Sequence, residues 1–197
     1  LGRPSLLALS VEDNVAPTLE WLQTRLDLDE AELRKMVLAH PQLLGYSVEA
    51  NMEPKFEWLQ IRLDLDAAQL QKVVLGRPSL LALSVEDNIA PKLDWLQTRL
   101  DLDDAGLRKI VVTLPQLLGL SIEDNLAPKL LWLQTRLDLD DAGLRKIVVT
   151  LPALFNYSAE DNMKPKLHFL AREIGLSRAE LRDWVVTTPS LLGMSLA

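Results

Sequence analysis

The stretch "EDNLAPKLLWLQTRLDLDD", residues 123–141, holds a helical pattern with a proline inside it. Leu126, Leu130, Leu133 and Leu137 recur at intervals of three and four, the spacing of one helix face. Pro128 has no N–H for an interior turn, and its ring crowds the carbonyl four residues back. The arrangement is repeated: Pro17, Pro54, Pro91 and Pro165 stand at the same place in steps of 37 residues. Two openings of this helix are compatible with the residues. If it starts after Ser121, Pro128 is its seventh residue and the Asp124 carbonyl loses a partner. If Asn125 caps it, the proline lies in the first turn, where a missing N–H costs little. Either way "SIEDN" is expected as a separate turn or a kinked start, with the proline serving packing.

Working outward, a Pro-x-Leu-Leu/Phe motif falls at Pro4, Pro41, Pro78, Pro115, Pro152 and Pro189, again 37 apart. This divides the chain into five full units (4–40, 41–77, 78–114, 115–151, 152–188) and the start of a sixth (189–197). The third and fourth units differ at only five positions, the first pair being Ser79/Gln116 and the last Asp94/Leu131. Repetition without insertions is the mark of a solenoid, in which each unit buries its apolar face on its neighbours. Within 115–151 the spacing predicts a short 3₁₀-like turn over "PQLLGLS" and a first helix carrying the leucine stripe. Asp138-Leu-Asp140 ends that helix, and a second runs from Asp141 to Thr150. Ser121 and Asp124 resemble a capping box with Asp in place of Glu, and Asp140 suits the N-cap of the second helix. Strand signals are absent. The expected fold class is all-α, a solenoid of about five repeats, each two α-helices plus a short 3₁₀-like turn.

Composition narrows the function. With 197 residues and 48% hydrophobic content the chain has ample core. No apolar run approaches the roughly 18–20 residues needed to cross a bilayer, and no targeting segment is visible. The opening "LGRPSLL" recurs at 75–81, so the chain starts inside a repeat and reads as a segment with missing ends. Cysteine is absent and only His40 and His168 are present, which leaves no basis for disulfides, thiolate metal sites or a histidine zinc site. There is no nucleophile with a histidine base and no glycine-rich phosphate loop. The carboxylates recur in every unit, as helix capping requires. Catalytic residues, a bound metal and a cofactor are therefore not expected. Net charge is −7 and the pI about 4.9, which argues against a strongly basic, nonspecific nucleic-acid binder.

The motifs "PSLLALSVEDNIAPKLDWL" (78–96) and "PALFNYSAEDNMKPKLHFLAREIGLSRAELRDWVVTTPSLL" (152–192) resemble the repeat of the mTERF family, the mitochondrial transcription termination factors, over essentially the whole chain. The resemblance implies stacked repeats of two α-helices and a 3₁₀ helix curved into a superhelix. It also implies DNA or RNA binding in the concave groove, location in a mitochondrion or chloroplast, and roles in transcription, its termination, ribosome assembly or RNA processing. Some members of that family also bind protein partners. The chain departs from the family pattern at four of five interhelix links, which read Leu-Asp-Leu-Asp; only the last, Ile174–Ser177, is Ile-Gly-Leu-Ser. The glycine suits a left-handed residue after a helix, whereas aspartate takes that conformation at a cost.

The first helix carries a second stripe beside the leucines. Lys92, Trp95 and Arg99 share a face, and the trio recurs as Lys55/Trp58/Arg62 and Lys129/Trp132/Arg136. Unit one has Thr18/Trp21/Arg25, and unit five has Lys166 and Phe169. Aligned across units, these residues would present cations to phosphates and aromatics to bases. The competing reading is that each tryptophan packs on the adjoining unit with the cations lying over its ring. The second helix adds Arg34/Lys35, Lys72, Arg108/Lys109, Arg145/Lys146 and Arg182, which either line a groove or form a solvated face. By resemblance the partner is double-stranded DNA or RNA. The acidic links favour the rival reading of a scaffold for a protein partner in an organellar assembly. A HEAT-like helical repeat is a weaker third reading, and the sequence leaves the oligomeric state open, since exposed end units could stack between chains.

Overall fold

The computed structural model describes residues 14–194. Among these residues the structure is helix and turn throughout, with no strand. The α-helices in chain order are α1 (Ala16–Leu26), α2 (Glu30–Ala39), α3 (Glu53–Leu63), α4 (Ala67–Gly76), α5 (Ala90–Leu100), α6 (Asp104–Thr113), α7 (Ala127–Leu137), α8 (Asp141–Thr150), α9 (Lys164–Ile174) and α10 (Arg178–Thr187). Odd-numbered helices hold the proline-bearing segment of each repeat and even-numbered helices the segment after the link. The chain divides into two compact units, one up to Pro91 and the other from Lys92.

The 3₁₀ turns lie where the Pro-x-Leu-Leu motif falls, at Pro41–Gly45, Pro78–Ala82, Pro115–Gly119, Pro152–Asn156 and Pro189–Gly193. Between each of the first four and the helix that follows is the turn expected at "SIEDN", with a pairing the periodicity did not announce. It is a π turn, at Val48–Met52, Val85–Ile89, Ile122–Leu126 and Ala159–Met163.

This π turn accounts for the proline. The Ser121 hydroxyl accepts the Asp124 N–H at 2.9 Å and donates to the Asp124 carboxylate at 2.9 Å. The helical run therefore starts after Ser121, and Asn125 is not its cap. The reciprocal bond of a full capping box, from the acid back to the serine N–H, is replaced here by the hydroxyl–carboxylate bond. Leu126 N–H donates to the Ser121 carbonyl, five residues back, at 3.1 Å, and Ala127 N–H to Ile122 in the same register. Pro128 stands where this five-residue pairing returns to the four-residue pairing of α7. The change of register leaves the Glu123 carbonyl without an N–H and the proline leaves that of Asp124, two groups that solvent can satisfy at the first turn. Glu123 and Asp124, which sit at that gap, are exposed to solvent.

At the other end, helix termination follows the link residues. Asp27, Asp64, Asp101 and Asp138 all adopt the left-handed conformation, with φ between 48° and 56°; in the last repeat Gly175 takes it at φ 73°. An L residue in this region is strained by roughly 1–2 kcal/mol, from which the greater unfolded-state freedom of glycine is subtracted. Asp138→Gly is expected to stabilise the protein by about 1 kcal/mol, read as a higher urea midpoint. Two residues on, Asp140 accepts the Gly143 N–H at 2.7 Å and starts α8.

The core is a leucine ladder. Leu126, Leu130, Leu133 and Leu137 are buried in the second unit, and Leu22, Leu59 and Leu63 in the first. Within the second unit α8 packs directly against α6 and α10, and α7 against α10. Within the first, α1 meets α4.

Candidate nucleic-acid interface

The stripe on the first helix of each repeat, helix A (α1, α3, α5, α7 and α9), separates into parts that face different ways. Lys55, Lys92 and Lys166 are only 5–8% exposed. Each ammonium donates to a backbone carbonyl 26 residues ahead, in the 3₁₀ turn of the next repeat. Lys55 reaches Leu81 at 2.7 Å, Lys92 reaches Leu118 at 2.6 Å and Lys166 reaches Leu192 at 2.8 Å. Lys129 makes the same bond to Phe155 from a half-buried position. The 3₁₀ turn presents these carbonyls inward because proline opens it and its short pairing leaves them over. Lys166 also donates to Asn162 at 2.6 Å and lies over the Tyr157 ring at 5.3 Å. Burial holds Lys55 below the ordinary lysine value, with Glu86 partly opposing, and burial does the same to Lys129 and Lys166. In the first repeat the place is taken by Thr18, also buried.

The arginines about two turns further on are also engaged with the next repeat. Arg25 donates to Gln60 at 2.7 Å and to Glu53 at 3.1 Å, and Arg99 to Gln134 at 2.6 Å and Asp141 at 3.4 Å. Arg62 is half-buried. Arg136 differs: the residue 35 positions ahead is Ala171 instead of glutamine, and Arg136 is exposed without a hydrogen bond or ion pair among the described residues.

Tryptophan lies between these two layers. Trp21 stacks on Phe56 with ring centroids 5.3 Å apart, and Arg25 lies 5.7 Å above the same ring. Trp58, Trp95 and Trp132 are half-buried. Glu160 is held below the ordinary carboxylate range chiefly by Lys164, with a smaller contribution from Trp132, and Trp58 and Glu86, the matching pair in the first unit, line one groove with Lys55 and Ser84. These rings therefore serve the joint between repeats, with an acidic group at their open edge.

The even-numbered helices have the opposite character. Lys35, Lys72, Lys109 and Lys146 occupy one position of α2, α4, α6 and α8, and all four are exposed. None has a hydrogen bond or ion pair among the described residues. Their arginine neighbours are divided. Arg34 is exposed, while Arg108 is half-buried. Arg145 donates to the Leu100 carbonyl at 2.7 Å and pairs with Asp101. The sequence singled out Lys109 and Lys146 without separating them from the structural cations. A signal was present: lysine recurs four times at this position and gives way to Asp183 only in the last repeat.

In the second unit α6 and α8 pack side by side, so Lys109 and Lys146 stand roughly one interhelix distance, about 8–10 Å, apart. Each lies about 7.5 Å along the axis from the acid that opens its helix, Asp104 or Asp141. The basic row is thus mid-helix and the acids form its rim. A groove between α8 and α10 brings Lys146 and Arg182 together with Asp138, Asp140 and Asp183. Among the described residues no group of three or more histidine, cysteine or acidic side chains is placed to hold a metal ion. No helix there is long and apolar enough to cross a membrane.

A family model described as mTERF matches residues 2–66 and 57–197. No curated protein matches the chain.

Proposed function

The chain belongs to the mTERF family, and from that premise we propose that it binds the phosphate backbone of DNA or RNA in an organelle, through the exposed lysines of its even-numbered helices. One observation supports this reading over the stripe on the first helix of each repeat: Lys35, Lys72, Lys109 and Lys146 are recurrent cations without a partner among the described residues. Lys55, Lys92 and Lys166 are committed to carbonyls and Arg25 and Arg99 to glutamines. Arg34 and Arg136, both exposed, extend the set. The acidic rim limits affinity and favours a register in which phosphates lie along the lysine row. Binding of this kind would serve a role in transcription, its termination or RNA metabolism in a mitochondrion or chloroplast, as the family implies.

The test is a titration of duplex DNA, duplex RNA and single strands over a range of salt. Four phosphate contacts give a slope of log K against log salt near −3.6 on duplex DNA. The K35A/K72A/K109A/K146A variant is expected to flatten that slope by about 3.6 units and lose on the order of 100-fold or more in affinity at low salt. An unchanged slope in the variant, or no binding at low salt, overturns the proposal; in the second case a protein partner for the acidic rim becomes the better reading.

A further inference from the structure

Arg77 is a cation that the lysine row leaves unexplained. It stands at the end of α4, five residues after Lys72, and is half-buried. Its guanidinium has no hydrogen bond or ion pair among the described residues. Nε is enclosed and unpartnered, whereas neither Nη is enclosed, so the two Nη groups face solvent. By contrast Arg25 and Arg99 are engaged with glutamines and Arg145 with a carbonyl. A helix C-terminus favours a cation through its dipole, but it gives this side chain no hydrogen bond, and a buried donor without a partner costs stability. The repeats show that folding does not need a cation here. Leu114 and Leu151 hold the same place at the ends of α6 and α8, and Leu114 is 4% exposed.

Two observations indicate what the guanidinium faces. His40, at this place one repeat earlier, lines a cavity with Glu32 and Lys35 of α2 and with Leu75 and Pro78. The position therefore opens on the side of the helix that carries the exposed lysine. Across the described repeats the place is held by His40, Arg77, Leu114, Leu151 and Thr188, so arginine occurs there once, while the lysine occurs four times. A contact repeated along the array suits a phosphate backbone, and a contact made once suits a feature of the base sequence. Resting on the even-numbered helices as the nucleic-acid face, we infer that Arg77 is a specificity-determining residue whose two Nη groups donate to O6 and N7 of a guanine. Guanine presents these two acceptors on one edge, and the planar arginine fork meets both together. The buried stem and Nε fix the direction of the fork before the ligand arrives, which lowers the ordering cost of the contact. Lys72, about a turn and a half back along α4, holds a phosphate of the same strand.

The test uses the full chain and one mixed sequence, as duplex DNA and as single-stranded RNA. Each is made twice, with guanine and with 7-deazaguanine throughout, which replaces N7 by C–H at unchanged charge. Wild type is expected to bind the 7-deaza form on the order of 10-fold more weakly. Arg77→Leu, which installs the residue of the later repeats, should bind the two forms alike and keep the wild-type salt slope. Its circular dichroism should match wild type and its urea midpoint should be no lower, since it removes an unpartnered donor. Equal binding of the two forms by wild type overturns the inference. A slope flatter by about 0.9 in Arg77→Leu, with no base preference lost, overturns it by making Arg77 one more phosphate contact. A lower urea midpoint overturns it by making Arg77 structural. Absence of any wild-type binding at low salt is the failure of the lysine-row reading and takes this inference with it. Lysine-dependent binding without a preference for guanine is the failure of this inference alone.

Discussion

Lys55→Met, Lys92→Met and Lys166→Met combined in one chain are expected to cost roughly 3–9 kcal/mol of stability, at about 1–3 kcal/mol for each buried carbonyl left without its donor. Methionine keeps the length of the stem and removes only the ammonium, so the loss reports the bonds to Leu81, Leu118 and Leu192. The three sites lie in different repeats, and distant sites add. A domain is stable by only about 5–15 kcal/mol, so the triple variant should be close to unfolding in water. Urea unfolding followed by circular dichroism measures it. A midpoint within experimental error of wild type would show that these lysines are not structural.

The same residues have a signature in pH. Burial lowers the folded-state value of Lys55 and Lys166 below the ordinary 10.5. Between the lowered value and 10.5 the unfolded chain holds more protons than the folded one. Stability therefore rises with pH across that alkaline window, and the contribution is lost as pH falls through the folded value. The wild type should show this rise, and the methionine variant should show a smaller one, the part that Lys129 contributes.

Phe56→Ala is expected to cost about 3–5 kcal/mol, the usual range for an aromatic removed from a closed core. Phe56 is fully buried, stacked on Trp21 and capped by Arg25. Its removal opens the joint between the first two repeats from both sides. Leu131→Ala is the control. Leu131 is also apolar and on an odd-numbered helix, but it is 64% exposed, and its replacement should fall within about 0.5 kcal/mol of wild type. Equal losses at the two positions would mean that the buried and open faces of helix A are wrongly assigned.

The fold was legible in the sequence to the level of elements. The 37-residue period, the leucine stripe of 126–137 and the aspartates of the link predict the helices, and α7, α8 and the 3₁₀ turns lie where that reading puts them. The π turn was not legible. Five-residue and four-residue pairing place similar residues on similar faces over so short a run, and proline alone permits either opening. The site was legible only as a list of cations. Lys92, Arg99 and Lys109 look alike in sequence, since all three recur at fixed positions on an amphipathic helix, and a lysine stem suits a buried channel as well as a solvated face.

By itself the chain's periodicity determined that identical leucine-striped helices must bury one another, because each unit exposes an apolar face that only a neighbour can cover. Which cations remain for a ligand was decided by tertiary structure alone. A carbonyl 26 residues away claims Lys55 and a glutamine 35 residues away claims Arg25, while among the described residues no hydrogen bond or ion pair reaches Lys109 or Lys146. Hydrogen bonds of that span are set by how repeats dock in three dimensions, and local spacing carries no record of them.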